Sequence, residues 1–73
     1  MRRRYFDASG NSGITEIDDS LPNGIRVWFG DKGYEYTDVN SGPHHIREMK
    51  LRIAGGLARY ITEDKAALHP TKV

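Results

Sequence analysis

The sequence predicts a small α+β domain: an antiparallel β-sheet of about three strands, with a β-hairpin over 25–39, and one C-terminal amphipathic helix over about 43–62 packed across it. Two observations carry this. Ile25, Val27 and Phe29 alternate with Arg26 and Trp28 ahead of a turn and a second β-rich run, the period-two pattern of a half-buried strand. Ile46, Met49, Ile53, Leu57 and Tyr60 then recur at spacings of three and four, which puts one apolar stripe on a helix.

Residues 1–13 read as a basic arm, Arg2-Arg3-Arg4, joined to the domain by the flexible, Gly- and Ser-rich connection Asp7–Gly13. The core, residues 14–65, opens with a short strand at Ile14–Ile17. Asp18–Gly24 then carries successive turn formers, in which Pro22 presets φ while Asn23 and Gly24 tolerate positive φ. With Asp31 and Lys32 at the centre of the hairpin turn, Phe29 opposes Tyr34, Val27 opposes Tyr36 and Ile25 opposes Asp38. Tyr34 and Tyr36 then share the core face, while Arg26, Trp28, Glu35, Thr37 and Val39 face the other way; a one-residue bulge near Gly33 would exchange the two sets.

Asn40–Pro43 ends the strand and starts the helix, with Ser41 or Gly42 as cap and Pro43 in the first turn. Lys50, Ala54 and Ile61 flank the apolar stripe, Glu48, Arg52 and Arg59 oppose it, and Arg47 lies at the border. Gly55-Gly56 interrupts the pattern at about 1 kcal/mol per glycine relative to alanine, so the helix bends there or lets the sheet approach closely. Residues 66–73, with Pro70, read as a frayed tail.

A chain of 73 residues buries only about 60% of its unfolded surface, so modest stability is expected. It has no cysteine, which removes disulfide and thiolate chemistry and makes a reducing cytoplasm the simplest location. No apolar stretch approaches a membrane span and Met1–Phe6 lacks a signal-peptide core. The net charge of +1 conceals segregation: three arginines at the start, seven acids against two bases over Tyr5–Asp38, and six bases against three acids from Val39 onward. Either the two halves neutralise each other, or a basic helix face and the arginine arm meet phosphate.

The stretch Ile14–Thr62, about two-thirds of the chain, resembles the KTSC domain, a small bacterial module found at the C-terminus of some lysyl-tRNA synthetases and as a stand-alone protein. The likeness rests on Tyr34-Glu35-Tyr36, preceded by Val27-Trp28-Phe29, followed by Asp38-Val39 and then by Ala54–Thr62, which is similar to an Ala-x-Ser-x-Gly-x-Tyr/Phe segment. Gly56 stands where that pattern has Ser, Ala58 where it has Gly and Thr62 where Asn is common, which implies a more continuous helical end here. The resemblance implies an uncharacterised role, with RNA binding suggested by the synthetase context.

The residues themselves offer two functions. A protein-interaction module, working as an adaptor, a homodimer or a phage-type inhibitor, would use Trp28 with Arg26, Glu35 and Thr37, unless the arm folds back through Tyr5 and Phe6 and covers Trp28. An RNA- or DNA-binding accessory domain would use Arg2, Arg3, Arg4, Arg47, Lys50, Arg52 and Arg59 on phosphates, with stacking by Tyr34 and Tyr36 as a further contact, although a pI near 8.1 is below that of dedicated nucleic-acid binders. His44-His45 does not suit a metal, since adjacent helical residues point about 100° apart. Neither a catalytic triad nor a phosphate-binding glycine loop can be assembled from Asp18, Asp19, Asp31, Asp38 and the glycine pairs, so no enzyme, cofactor or metal is expected.

Overall fold

A computed structural model of the chain describes residues 1–5 and 13–73. Five strands, β1 (Arg3–Arg4), β2 (Glu16–Asp18), β3 (Gly24–Phe29), β4 (Lys32–Thr37) and β5 (Thr71–Lys72), form one antiparallel sheet in the order β1-β2-β3-β4-β5. The sheet is wider than the three strands expected, because both ends of the chain add an edge strand. The arm pairs with β2, placing Arg3 beside Ile17 and Arg4 beside Glu16. The tail expected to fray runs along β4 with Lys72 beside Tyr34, and its Leu68 is only 5% exposed. The expectation of a flexible connection at Asp7–Gly13 lies, apart from Gly13, outside the described residues.

The central hairpin turns at Gly30 and Asp31, one residue earlier than the sequence suggests. Gly30 has φ 68° and among the described residues no non-glycine residue has positive φ, which is the pattern of a II′ turn with glycine first. Ile25 therefore opposes Tyr36 and Val27 opposes Tyr34, a slip of two residues from the expected register. A slip of two preserves which face each side chain takes. Ile25, Val27 and Tyr36 remain on the core side with Ile17, and Arg26, Trp28, Glu35 and Thr37 remain on the outer side. Strand β4 stops at Thr37 because that residue becomes a helix cap: its hydroxyl accepts from the Asn40 amide while the Asn40 side chain accepts from the Thr37 amide. Asp38 and Val39 thus leave the sheet, and Val39 is 94% exposed.

The single helix expected over 43–62 is divided. Helix α1 (Asp38–Ser41) is a short turn, α2 (Pro43–Leu51) follows with Pro43 in its first turn, a 3₁₀ turn covers Arg52–Ala54, α3 (Leu57–Glu63) resumes the chain, and a second 3₁₀ turn spans Lys65–Ala67. The break falls at Gly55-Gly56, where Gly56 takes φ 86°, a left-handed conformation that a side chain would strain. Ser41 is no cap for α2; it is buried and its hydroxyl accepts from the His69 amide, tying the tail back to the helices. Ile46 and Met49 of α2 and Leu57 and Ile61 of α3 meet Ile17, Ile25, Val27 and Tyr36 of the sheet, with Tyr5 and Leu68 closing the core from the two ends. Each such side chain contributes about 1.5–3 kcal/mol by leaving water.

Trp28 lies on the other side of the sheet and is nevertheless 8% exposed. Its indole lies across Gly33, its partner in the register, so closely that a Cβ at 33 would overlap the ring. Gly33→Ala is expected to destabilise the fold by about 1–3 kcal/mol through this overlap, read as a lower urea midpoint with an unchanged slope; an unchanged midpoint would mean that the indole moves aside freely.

Candidate functional site

The residues singled out for protein binding are largely engaged within the molecule. Arg26 Nε donates to Glu35 Oε1 at 2.6 Å across the β3–β4 pair, and Thr37 is committed to its capping box. Trp28, expected to face solvent, is covered: the Arg2 guanidinium stacks over its ring at 4.2 Å while Arg2 also donates to Glu16 Oε1 at 3.0 and 2.5 Å. The arm does fold back, but Arg2 is the cover, Tyr5 enters the core instead, and Phe6 lies outside the described residues. The outer face thus presents a charge-paired surface rather than an aromatic patch.

The arm's residues alternate between the two faces of the sheet, with Arg3 beside Ile17 on the helix side and Arg4 beside Glu16 on the outer side. Arg2 lies on the outer face of the sheet and Arg3 pairs with Asp19 through its two terminal guanidinium nitrogens, at 2.5 and 3.3 Å. Arg4 is exposed. On the helix side Arg47 is exposed, Arg59 pairs with Glu63 at 3.0 Å, and Arg52 lies 3.8 Å from Glu48 and stacks at 4.9 Å on Tyr60. Lys50 reaches across to donate to the Leu21 carbonyl. Most of these cations are thus already engaged with carboxylates or a carbonyl, which leaves Arg4 and Arg47 as the exposed ones without such a partner among the described residues.

His44 and His45 stack at 4.0 Å, and His45 Nδ1 shares a 2.7 Å hydrogen bond with the Tyr60 hydroxyl, linking α2 to α3 across the Gly55-Gly56 break. Burial first, then the Asp64 and Glu48 charges, raise the Tyr60 phenol above its ordinary value. No group of three or more potential metal ligands occurs among the described residues.

The structure instead opens a groove that sequence reasoning missed as a unit. It lies between the hairpin and α3 and has a volume of about 450 Å³. Phe29, Tyr34 and Tyr36 form the sheet wall, with Phe29 and Tyr34 in edge contact at 6.3 Å. Ile61 and Thr62 supply the helix wall, Leu68 and Pro70 the end, and the exposed Lys32 and Lys65 complete the lining. Tyr36 is only 3% exposed, and burial, with a smaller effect from Tyr34, pushes its phenol up to about 12, so it stays protonated at neutral pH. The lining contains no histidine and no carboxylate. The two tyrosines were visible in the sequence; Lys65, Leu68 and Pro70 were not, because their segment is placed by the pairing of β5.

No family model matches the chain, and no curated protein or solved structure is found to match it. Among the described residues no helix is long and apolar enough to cross a membrane.

Asp18 anchors the arm to the sheet. Its Oδ1 accepts from the Met1 ammonium at 2.6 Å and from the Ser20 hydroxyl and amide at 2.6 and 3.0 Å, and these bonds, the ammonium's first, hold the carboxyl far below the usual carboxylate range. Asp19 is likewise lowered, chiefly by its hydrogen bond to Arg3. A carboxyl whose folded pKa is depressed stabilises the fold above its unfolded pKa, about 3.9, and loses that contribution as pH falls through the folded value. Asp18→Asn is therefore expected to lower Tm at neutral pH and to flatten its decline below about pH 4; parallel Tm profiles for both proteins would show that the contact contributes nothing.

Proposed function

We propose that this chain is a small, non-enzymatic, KTSC-like protein-interaction module that holds a segment of its partner in the groove between the β3–β4 hairpin and α3. The observation that carries the reading is the groove itself. A concave, mainly apolar space of about 450 Å³ lies in the range of ligand sites, and both tyrosines of the Tyr-x-Tyr motif form its wall. Its lining is mainly apolar and carries no carboxylate or imidazole, a composition that suits holding an apolar segment. The nucleic-acid reading is supported less well, since Arg2, Arg3, Arg52 and Arg59 each have a carboxylate partner.

The test is selection of binding peptides from a random library on the full chain, followed by variants on each surface. Thr62 is exposed on α3, so Thr62→Arg blocks the groove without entering the core. Selected peptides are expected to lose about tenfold or more in affinity to Thr62→Arg, about 1.4 kcal/mol, and to be indifferent to Arg26→Ala. The reverse pattern would move the interface to the outer sheet face. Saturable RNA binding that weakens steeply with salt and fails in Arg47→Glu would replace the proposal with the nucleic-acid function.

A further inference from the structure

We infer that the groove takes an extended acidic peptide segment with an apolar anchor, the anchor seated between Tyr34 and Ile61 and the flanking carboxylates meeting Lys32 and Lys65; this rests on the reading of the groove as the binding surface. The argument begins with charge. Arg2, Arg3, Arg26, Arg52 and Arg59 each lie within 3.8 Å of a carboxylate, and Lys50 donates to a carbonyl. The ammonium groups of Lys32 and Lys65, like the side chains of Arg4, Arg47 and Lys72, have no ion pair or hydrogen bond among the described residues, and these two lysines are the charged groups of the groove. An apolar groove whose unneutralised charges are all positive complements an apolar segment that carries negative charge.

Its shape selects an elongated occupant. A second hollow of about 200 Å³ adjoins the first and shares Lys32 and Tyr34 with it, adding Lys72 and Val73 of the β5 end and Asp31 of the turn. The two together form a track with Lys65, Lys32 and Lys72 along it, and Asp31 is the single acidic side chain on its lining. Six extended residues reach about 20 Å, within the 29 Å length of the molecule. Tyr36 is too deeply buried to offer a ring face, which leaves Phe29 and Tyr34 as the aromatic contacts for an apolar side chain between hairpin and helix.

Three six-residue peptides with a central Leu-Phe, flanked by glutamates, glutamines or lysines, test the inference by amide NMR titration of the full chain at low salt. The glutamate peptide is expected to shift Lys32, Tyr34, Ile61 and Lys65, to bind at least about tenfold more tightly than the glutamine peptide, and to leave the emission of Trp28, the only tryptophan, unchanged. The exposed double variant Lys32→Glu/Lys65→Glu, which touches no core residue, should reverse the preference toward the lysine peptide. Equal binding of all three peptides in the groove would overturn the acidic preference and leave the interaction reading standing. No groove shift from any peptide would remove both. Protection of the same amides by self-association, or tighter binding there by a six-nucleotide RNA, would overturn the inference in favour of a second copy or of nucleic acid.

Discussion

The pairing of β3 with β4 is the constraint on which the rest of the structure depends. β3 is the middle strand of five and is covered on both sides, with Ile25 and Val27 facing the helices and Trp28 lying against Gly33 beneath Arg2. A register shift of one residue would send Tyr36 and Tyr34 to the outer face and turn Glu35 and Gly33 toward the core. The II′ turn at Gly30-Asp31 and the contact of Trp28 with Gly33 specify the same register from two different points, one local and one across the strands. With that pairing fixed, the placement of the helices, the arm and the tail follows from what each must cover.

The parts of the fold legible in the sequence are those written in periodicity. The alternation around Val27 and the spacing of Ile46, Met49 and Leu57 identified a sheet and a helical layer, and the face of every hairpin residue through Thr37 survived a misplaced turn because the error in pairing was two residues. Val39 was misassigned because nothing in its own side chain shows that Thr37 and Asn40 cap each other and end the strand. The edge strands were illegible for another reason. Arg3-Arg4 and Thr71-Lys72 have no apolar alternation and become strands only because β2 and β4 offer unpaired backbone edges. The site was legible to the same extent: the parity of Tyr34 and Tyr36 could be read, while the walls supplied by Lys65, Leu68 and Pro70 depend on where β5 docks.

Charge shows how the fold pairs residues that composition alone leaves apart. The arginines of the arm and the acids of the sheet are far apart in sequence but neighbours across β1 and β2, where Arg2 meets Glu16 and Arg3 meets Asp19. Exposed pairs of this kind each contribute little, roughly 0.2–1 kcal/mol. Their combined effect lies in position: they hold a two-residue strand in place and keep a guanidinium over an indole that would otherwise face water. In a segment that reads as a phosphate-seeking arm, Arg2 and Arg3 therefore serve as structural cover and anchor.

The groove arises from how little chain is available for the helical layer. Once the helix breaks at Gly55-Gly56, α3 is held against α2 by the His45–Tyr60 hydrogen bond, and its Leu57 and Ile61 cover the centre of the sheet. The hairpin end receives only the return of the tail through Leu68 and Pro70. Phe29 and Tyr34 consequently remain half-buried, retaining apolar surface that a further turn of helix would remove from water. Lys32 and Lys65 stand exposed beside that surface, so the same shortage of helix that leaves aromatic surface open also leaves positive charge at its edge.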